Sequence, residues 1–239
     1  MNPRFSNQRN HALTLVEVLV TICAIAFLAV IFLSSFFAVR QKAARVNCVN
    51  NLKRIGLAYR AWEGYHGDKY PMNVPATNGG AMELAAIGDV AATFQVVSNE
   101  LSTPKLLLCP ADTKRIEAAN FNDLNGKISY FINVNATESF PDMPVFGDDN
   151  FAINGFPVKS GLLELSSNAP ISWTSARHKF VGNISFADGS ITEFSNSGLL
   201  QALEQTGPAT NATPLSQQPM LQEALQAHNG VATNRLAIP

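Results

Sequence analysis

Glu17 is the one charged residue in an apolar run from Leu13 to Val39. Moving an ionised carboxylate into hydrocarbon costs several kcal/mol, so an acid inside a spanning segment asks for a counter-charge. A chain cut just before Leu13 would supply it, because the freed α-amine would lie within about one helical turn of Glu17. Metal chemistry has a second set of candidates. His178 and Asp188 offer imidazole and carboxylate, and opposite strands of a hairpin can bring such groups together. Zinc takes three or four ligands, however, and no second His or Cys stands at ligand spacing near them. The competing reading is that Asp188-Gly189 serves a turn and that His178 bonds nearby backbone.

Asp142, Asp148, Asp149 and Asn150 place oxygen ligands in one short stretch, which suits calcium in type but lacks the full spacing of a calcium loop. A solvated acidic loop is the alternative. Asp148 and Asp149 thus join His178 and Asp188 as metal candidates, and no cofactor is otherwise expected. Cys48 and Cys109 permit one disulfide, the alternative being two buried thiols, while Cys23 inside the apolar run reads as a small filler. No Gly-x-Ser-x-Gly elbow, phosphate-binding Gly-rich loop or His-Glu-x-x-His helix occurs, so an enzyme is not expected.

These residues must be positioned by a few elements. The apolar run exceeds the roughly 20 residues that span a bilayer, and it is too long for an ordinary secretory h-region of about 7–15 residues. Beyond Val39, Cys48, Leu52, Ile55, Tyr59 and Trp62 recur at spacings of four and three, one apolar stripe on a helix. No proline interrupts Leu13 to Tyr70, so one helix of about 75 Å could run from Leu13 to Trp62. Its first half is apolar all round and its second is one-sided, as in a helix anchored in lipid and then laid against a globular domain.

Gly64, Gly67 and Pro71 end that helix. A short helix at Ala81–Ile87, an ambiguous segment at Ala91–Val97, and strands at Lys105–Leu108, Ile128–Val134, Ile171–Thr174 and Phe180–Phe194 follow. Asp188-Gly189 marks a hairpin in the last. Its register stays open between a two-residue turn pairing Ala187 with Ser190 and a bulged loop setting Ile184 opposite Phe194. From Gly198 the chain is poor in aromatics, with short helices expected at Leu199–Gln205 and Pro219–His228 in a loosely packed tail.

The net charge is −1 with 17 basic residues that form no dense block, so nucleic acid is not an expected partner. Charge alone leaves topology open, since Arg4 and Arg9 precede the apolar run and Arg40, Lys42 and Arg45 follow it.

The segment His11-Ala12-Leu13-Thr14-Leu15-Val16-Glu17-Val18-Leu19-Val20 resembles the prepilin signal of type IV pilins and type II secretion pseudopilins. The resemblance implies cleavage between Ala12 and Leu13 by a prepilin peptidase, N-methylation of Leu13, and Glu17 as the mature fifth residue. The residue before the cut is usually Gly and is Ala12 here, and the usual Phe after it is Leu13. Four further landmarks run in order: Cys48-Val49-Asn50-Asn51-Leu52-Lys53-Arg54-Ile55-Gly56-Leu57-Ala58, Leu108-Cys109-Pro110-Ala111-Asp112, Ser129-Tyr130-Phe131-Ile132-Asn133, and His178 ahead of Asp188-Gly189. They resemble the pilin-like subfamily with a His-(nine residues)-Asp-Gly signature, in which Asp-Gly is often followed by His where Ser190 stands here.

The resemblance implies an α+β fold, a long N-terminal helix packed on a small antiparallel sheet. Residues 1–12 would be the leader, 13–39 the transmembrane and assembly half of the helix, 40–62 its amphipathic half, 63–197 the globular domain and 198–239 a polar tail. It implies a structural subunit anchored in the inner membrane with its domain in the periplasm. There it would assemble with copies of itself or related subunits, through an inner-membrane platform, into a pilus or pseudopilus. In such filaments Glu17 of one subunit would neutralise the N-terminal amine of a neighbour. A minor pilin or adhesin, or a periplasmic binding module using the hairpin and the loops Pro71–Gly80 and Phe140–Phe151 as its surface, is the alternative, and a membrane-anchored metalloenzyme around His178 and Asp188 a third.

Overall fold

The computed structural model describes residues 14–166, 169–204 and 233–239. The first helix, α1, covers Leu15–Glu63 as one element. The chain divides into two compact units between Ala43 and Ala44, so the amphipathic part of α1 belongs with the globular unit. In the first unit, Leu15–Phe32 is long and apolar enough to cross a membrane, and its side chains are exposed in the isolated chain.

In the second unit the stripe predicted from spacing is the buried one. Cys48, Leu52, Ile55, Tyr59 and Trp62 are all buried, and Tyr59 meets Tyr70, Phe94 and Phe146 edge to face. Helix α1 stops before Gly64, and Gly67 (φ +67°) turns the chain away. Short helical pieces then cover one face of the core: 3-10 turns at Pro71–Asn73 and Ala76–Asn78, α2 at Met82–Ala85, α3 at Val90–Val96, α4 at Ser98–Leu101 and a further 3-10 turn at Pro104–Leu107. Asp89 caps α3 by accepting from the Ala92 N–H at 3.0 Å, which settles the ambiguous Ala91–Val97 segment as a helix.

The strand expected over Lys105–Leu108 is instead the last of those 3-10 turns. Pro104 sets its φ at the first position, and the Thr103 hydroxyl accepts from the Lys105 N–H.

Strands follow at β1 Tyr130–Asn133, β2 Pro144–Asp148, β3 Phe151–Ile153, β4 Phe156–Pro157, β5 Gly161–Ser166, β6 Ile171–Trp173, β7 Val181–Phe186, β8 Ile191–Ser195 and β9 Thr233–Ile238, with α5 at Asn196–Glu204 between the last two. They form a six-stranded sheet in the order β5-β9-β1-β2-β7-β8 and a three-stranded sheet β4-β3-β6. Every registered pair is antiparallel. The fold is therefore α+β.

Both faces of the large sheet are covered. Tyr130 and Ile132 of β1 join the core under α1, while Phe131 between them joins a second core with Phe151, Trp173, Leu199 and Leu236, the alternation a strand imposes.

Two further corrections concern the sheet. The β7–β8 hairpin takes neither expected register: Ile184 faces Thr192, and Ala187, Asp188 and Gly189 form a three-residue loop. Gly189 N–H bonds Phe186 O and Phe186 N–H bonds Ser190 O, each at 2.9 Å. Gly189 sits at φ +86°, the left-handed position that such a loop requires. The reading of 198–239 as a loose tail also fails at its end, because β9 lies between β5 and β1, inside the sheet. The helix expected at Pro219–His228 lies outside the described residues.

Candidate functional site

Two places gather the residues singled out by sequence. The first is the start of α1. Thr14 N–H donates to Glu17 Oε2 at 2.9 Å, the Thr14 hydroxyl donates to the same oxygen at 3.0 Å, and Glu17 N–H donates to Thr14 Oγ1 at 3.3 Å. This is a capping box, in which two otherwise unpaired donors of a helix end are satisfied reciprocally. Thr14-Leu15-Val16-Glu17 carries the pattern openly, yet Glu17 considered only as a stray charge conceals it. Ala12 and Leu13 lie outside the described residues.

The second place is a buried polar cluster under α1. The sulfurs of Cys48, on α1, and Cys109 are bonded, with Cα atoms 5.2 Å apart. His178 Nε2 lies 3.3 Å from Cys109 Sγ and 3.8 Å from Asp148 Oδ2. A disulfide sulfur has no proton to give, so Nε2 carries the hydrogen of that contact. Burial holds the His178 pKa below its usual value, and Arg177 and Arg45 push the same way against the opposing Asp148 carboxylate. The ring is accordingly neutral near pH 7.

His178 is placed by an unusual turn. His178, Lys179 and Phe180 have φ of 52°, 54° and 64° in succession, a conformation L-residues adopt only where the surroundings over-determine it. Arg45 supplies part of that determination, donating to His178 O at 3.0 Å while pairing with Glu193 at 2.9 Å.

The acidic stretch divides three ways. Asp142 is exposed, whereas Asp148, Asp149 and Asn150 are buried, which corrects the picture of a solvated loop. Asp148, the last residue of β2, accepts from both the backbone N–H and the side-chain amide of Asn183 at 2.8 Å. Asp149 is held by Arg177 and by Arg115, the latter at 2.7 Å, so both its carboxylate oxygens are committed to guanidinium groups. Asn150 donates to Thr174 O and Arg177 O. Of the surface expected over Phe140–Phe151, Pro144–Asp148 is β2, inside the sheet, while Phe140, Pro141 and Asp142 are exposed.

Around this group Asp112 accepts from the Ser129 hydroxyl at 2.9 Å and pairs with Arg115 at 3.0 Å and Arg177 at 3.7 Å. Burial alone would raise its pKa, but Arg177, Ser129, the Lys114 N–H and Arg115 together hold it below the ordinary value. This arginine–aspartate lattice has no local sequence signal, since its members come from distant loops.

The signature residues separate. Asp188 sits in the exposed hairpin loop, where it accepts from Ser190 N–H at 2.7 Å, and Gly189 turns that loop. Arg60 of α1 donates to Ala187 O in the same loop. His178 belongs instead with Cys109 and Asp148. The geometry thus assigns Asp188-Gly189 to the turn and does not pair His178 with Asp188.

Compared with known proteins, the chain matches no family model, no curated protein and no solved structure.

Proposed function

We propose that this protein is a pilin-like structural subunit, cut between Ala12 and Leu13 by a prepilin peptidase and assembled into a filament through its N-terminal helix. The observation that carries the reading is the pairing, on one helix, of an acid-capped apolar segment with a buried amphipathic stripe. Glu17 stands at the head of Leu15–Phe32, whose exposed side chains need lipid or other helices around them. The stripe from Cys48 to Trp62 fastens the same helix to the globular unit. One helix thus serves both insertion and attachment of the head.

In this reading the partners are copies of the chain or related subunits, the peptidase and an inner-membrane platform. The globular unit faces the periplasm, a compartment in which a disulfide such as Cys48–Cys109 can form. The protein's work is assembly rather than catalysis. Within the filament, Glu17 pairs with the methylated amine of a neighbour's Leu13, removing two charges from lipid together. The test is polymerisation. Sheared-cell fractions should contain the protein as filaments when the peptidase is present and lose them when it is deleted; filaments formed without the peptidase would exclude the reading.

A further inference from the structure

Cys48, Cys109, Asp148 and His178 reach one point from α1, from the loop after the last 3-10 turn, from β2 and from the turn before β7. Each offers one ligand atom, and these atoms all lie within 4.8 Å of one another in a fully buried setting. Two sulfurs, an imidazole nitrogen and a carboxylate oxygen form a donor set that zinc takes in a tetrahedron. Bonds of about 2.0–2.3 Å put the ligand atoms of a tetrahedron roughly 3.3–3.8 Å apart, so small side-chain rotations suffice.

Two details favour a cation at this point. Asp148 Oδ1 is buried without a hydrogen-bond partner, although Oδ2 is fully engaged by Asn183. A half-satisfied buried carboxylate is an unfavourable arrangement that a bound cation relieves. Asn183 meanwhile orients the carboxylate as an outer partner does in a metal centre. Phe180, two residues beyond His178 in the same turn, is exposed.

We propose that, when the Cys48–Cys109 disulfide is reduced, these four side chains bind one zinc-type divalent cation, so that the site alternates between a disulfide and a metal–dithiolate. The exchange balances. A dithiol reductant gives two electrons and two protons to the S–S bond, which breaks into two thiols as the reductant closes its own disulfide. On binding the cation both thiols release their protons to solvent, and His178 Nε2 gives its lone pair as its proton moves by way of solvent to Nδ1. Two thiolates, one carboxylate and the dication sum to one negative charge, which Arg177 and Arg45 face. In the oxidised form only His178 and Asp148 remain as ligands, too few to hold zinc.

The test uses the full chain in detergent, in a Cys23→Ser background so that only these two thiols are present, with cobalt(II) as the probe. After reduction by dithiothreitol and its anaerobic removal, one equivalent should give thiolate-to-cobalt charge transfer with intense tetrahedral visible bands. Zinc should bleach them, and the untreated disulfide form should give none. His178→Gln and Asp148→Asn should each weaken binding at least tenfold, and Asp188→Asn should not change it. Equal cobalt binding by the reduced and oxidised chains overturns the proposal, as does an unchanged spectrum and affinity in both ligand variants. The two redox states are compared with all four ligands unaltered, so misfolding of a variant leaves that comparison intact. In addition, one equivalent of zinc should protect both thiols from alkylation, and full labelling under zinc also overturns it.

Discussion

Glu17 and Thr14 hold one another at the head of α1: the carboxylate accepts from Thr14 N–H at 2.9 Å, and Thr14 Oγ1 accepts from Glu17 N–H at 3.3 Å. The acid therefore has local work in a single chain, before any neighbour arrives. Capping and intermolecular pairing ask different things of the same side chain. A cap needs an acceptor, whereas pairing with an amine in lipid needs a negative charge.

Substitution separates the two. Glu17→Gln keeps an acceptor that closes a capping box and loses the charge. Glu17→Ala loses both, and Thr14→Ala loses the cap while keeping the charge, with about 1 kcal/mol less helix stability. Both Glu17 variants should insert in the membrane but fail to form filaments in sheared fractions, while Thr14→Ala should still form them. Wild-type filament yield from Glu17→Gln would confine Glu17 to the cap.

Arg177 is buried against Asp149 and Asp112 and donates to Ser129 O at 2.9 Å. Arg177→Met should lower the unfolding free energy by about 3 kcal/mol, because it strands buried carboxylates that Arg115 alone must then neutralise. The pH dependence should change with it. The folded-state pKa of Asp112 lies below its ordinary 3.8, so its contribution is present above that value and is lost as pH falls through the folded pKa. Denaturant titrations from pH 6 down to pH 3 should show a shallower acid loss in the variant. An identical acid limb would mean that Arg177 does not set the Asp112 carboxyl.

Glu63, the last residue of α1, behaves oppositely. Burial foremost, then the Glu138 carboxylate, raises its pKa from 4.5 to about 7, with Arg60 opposing and Asp68 adding to the rise. Between those values the folded chain retains a proton that the unfolded chain has shed, so stability falls as pH rises through that window. Glu63→Gln should remove the loss, leaving the variant more stable than wild type by about 1–3 kcal/mol at pH 8 and nearly equal at pH 4.5. Melting temperatures that fall in parallel for both proteins across this range would contradict it.

The sequence is most readable where one periodic signal dominates a segment. The stripe from Cys48 to Trp62 announces its buried face, and Asp188-Gly189 announces a hairpin. The register of that hairpin is not legible, because two-residue and three-residue loops use the same Asp-Gly pair and differ only in which residue takes positive φ. Strand β9 escapes for another reason. Thr233-Asn234-Arg235-Leu236-Ala237-Ile238 has little local strand character, and its place depends on pairing with β5 and β1, far away in the chain. The polar cluster escapes in the same way: Asp112, Arg115, Asp149 and Arg177 look like surface charges until the fold brings them together. His178 looks from its spacing like a companion of Asp188, and only the left-handed turn after it sends its ring toward Cys109 and Asp148 instead.

In the proposed reading a freed amine at Leu13 is the partner of the Glu17 charge between subunits, so assembly would depend on the cut before Leu13. Mass spectrometry of the N-terminal peptide from protein extracted from cell membranes measures this directly. An N-methylated Leu13 at the N-terminus is the predicted result, and a peptide that retains the Met1 leader would contradict it.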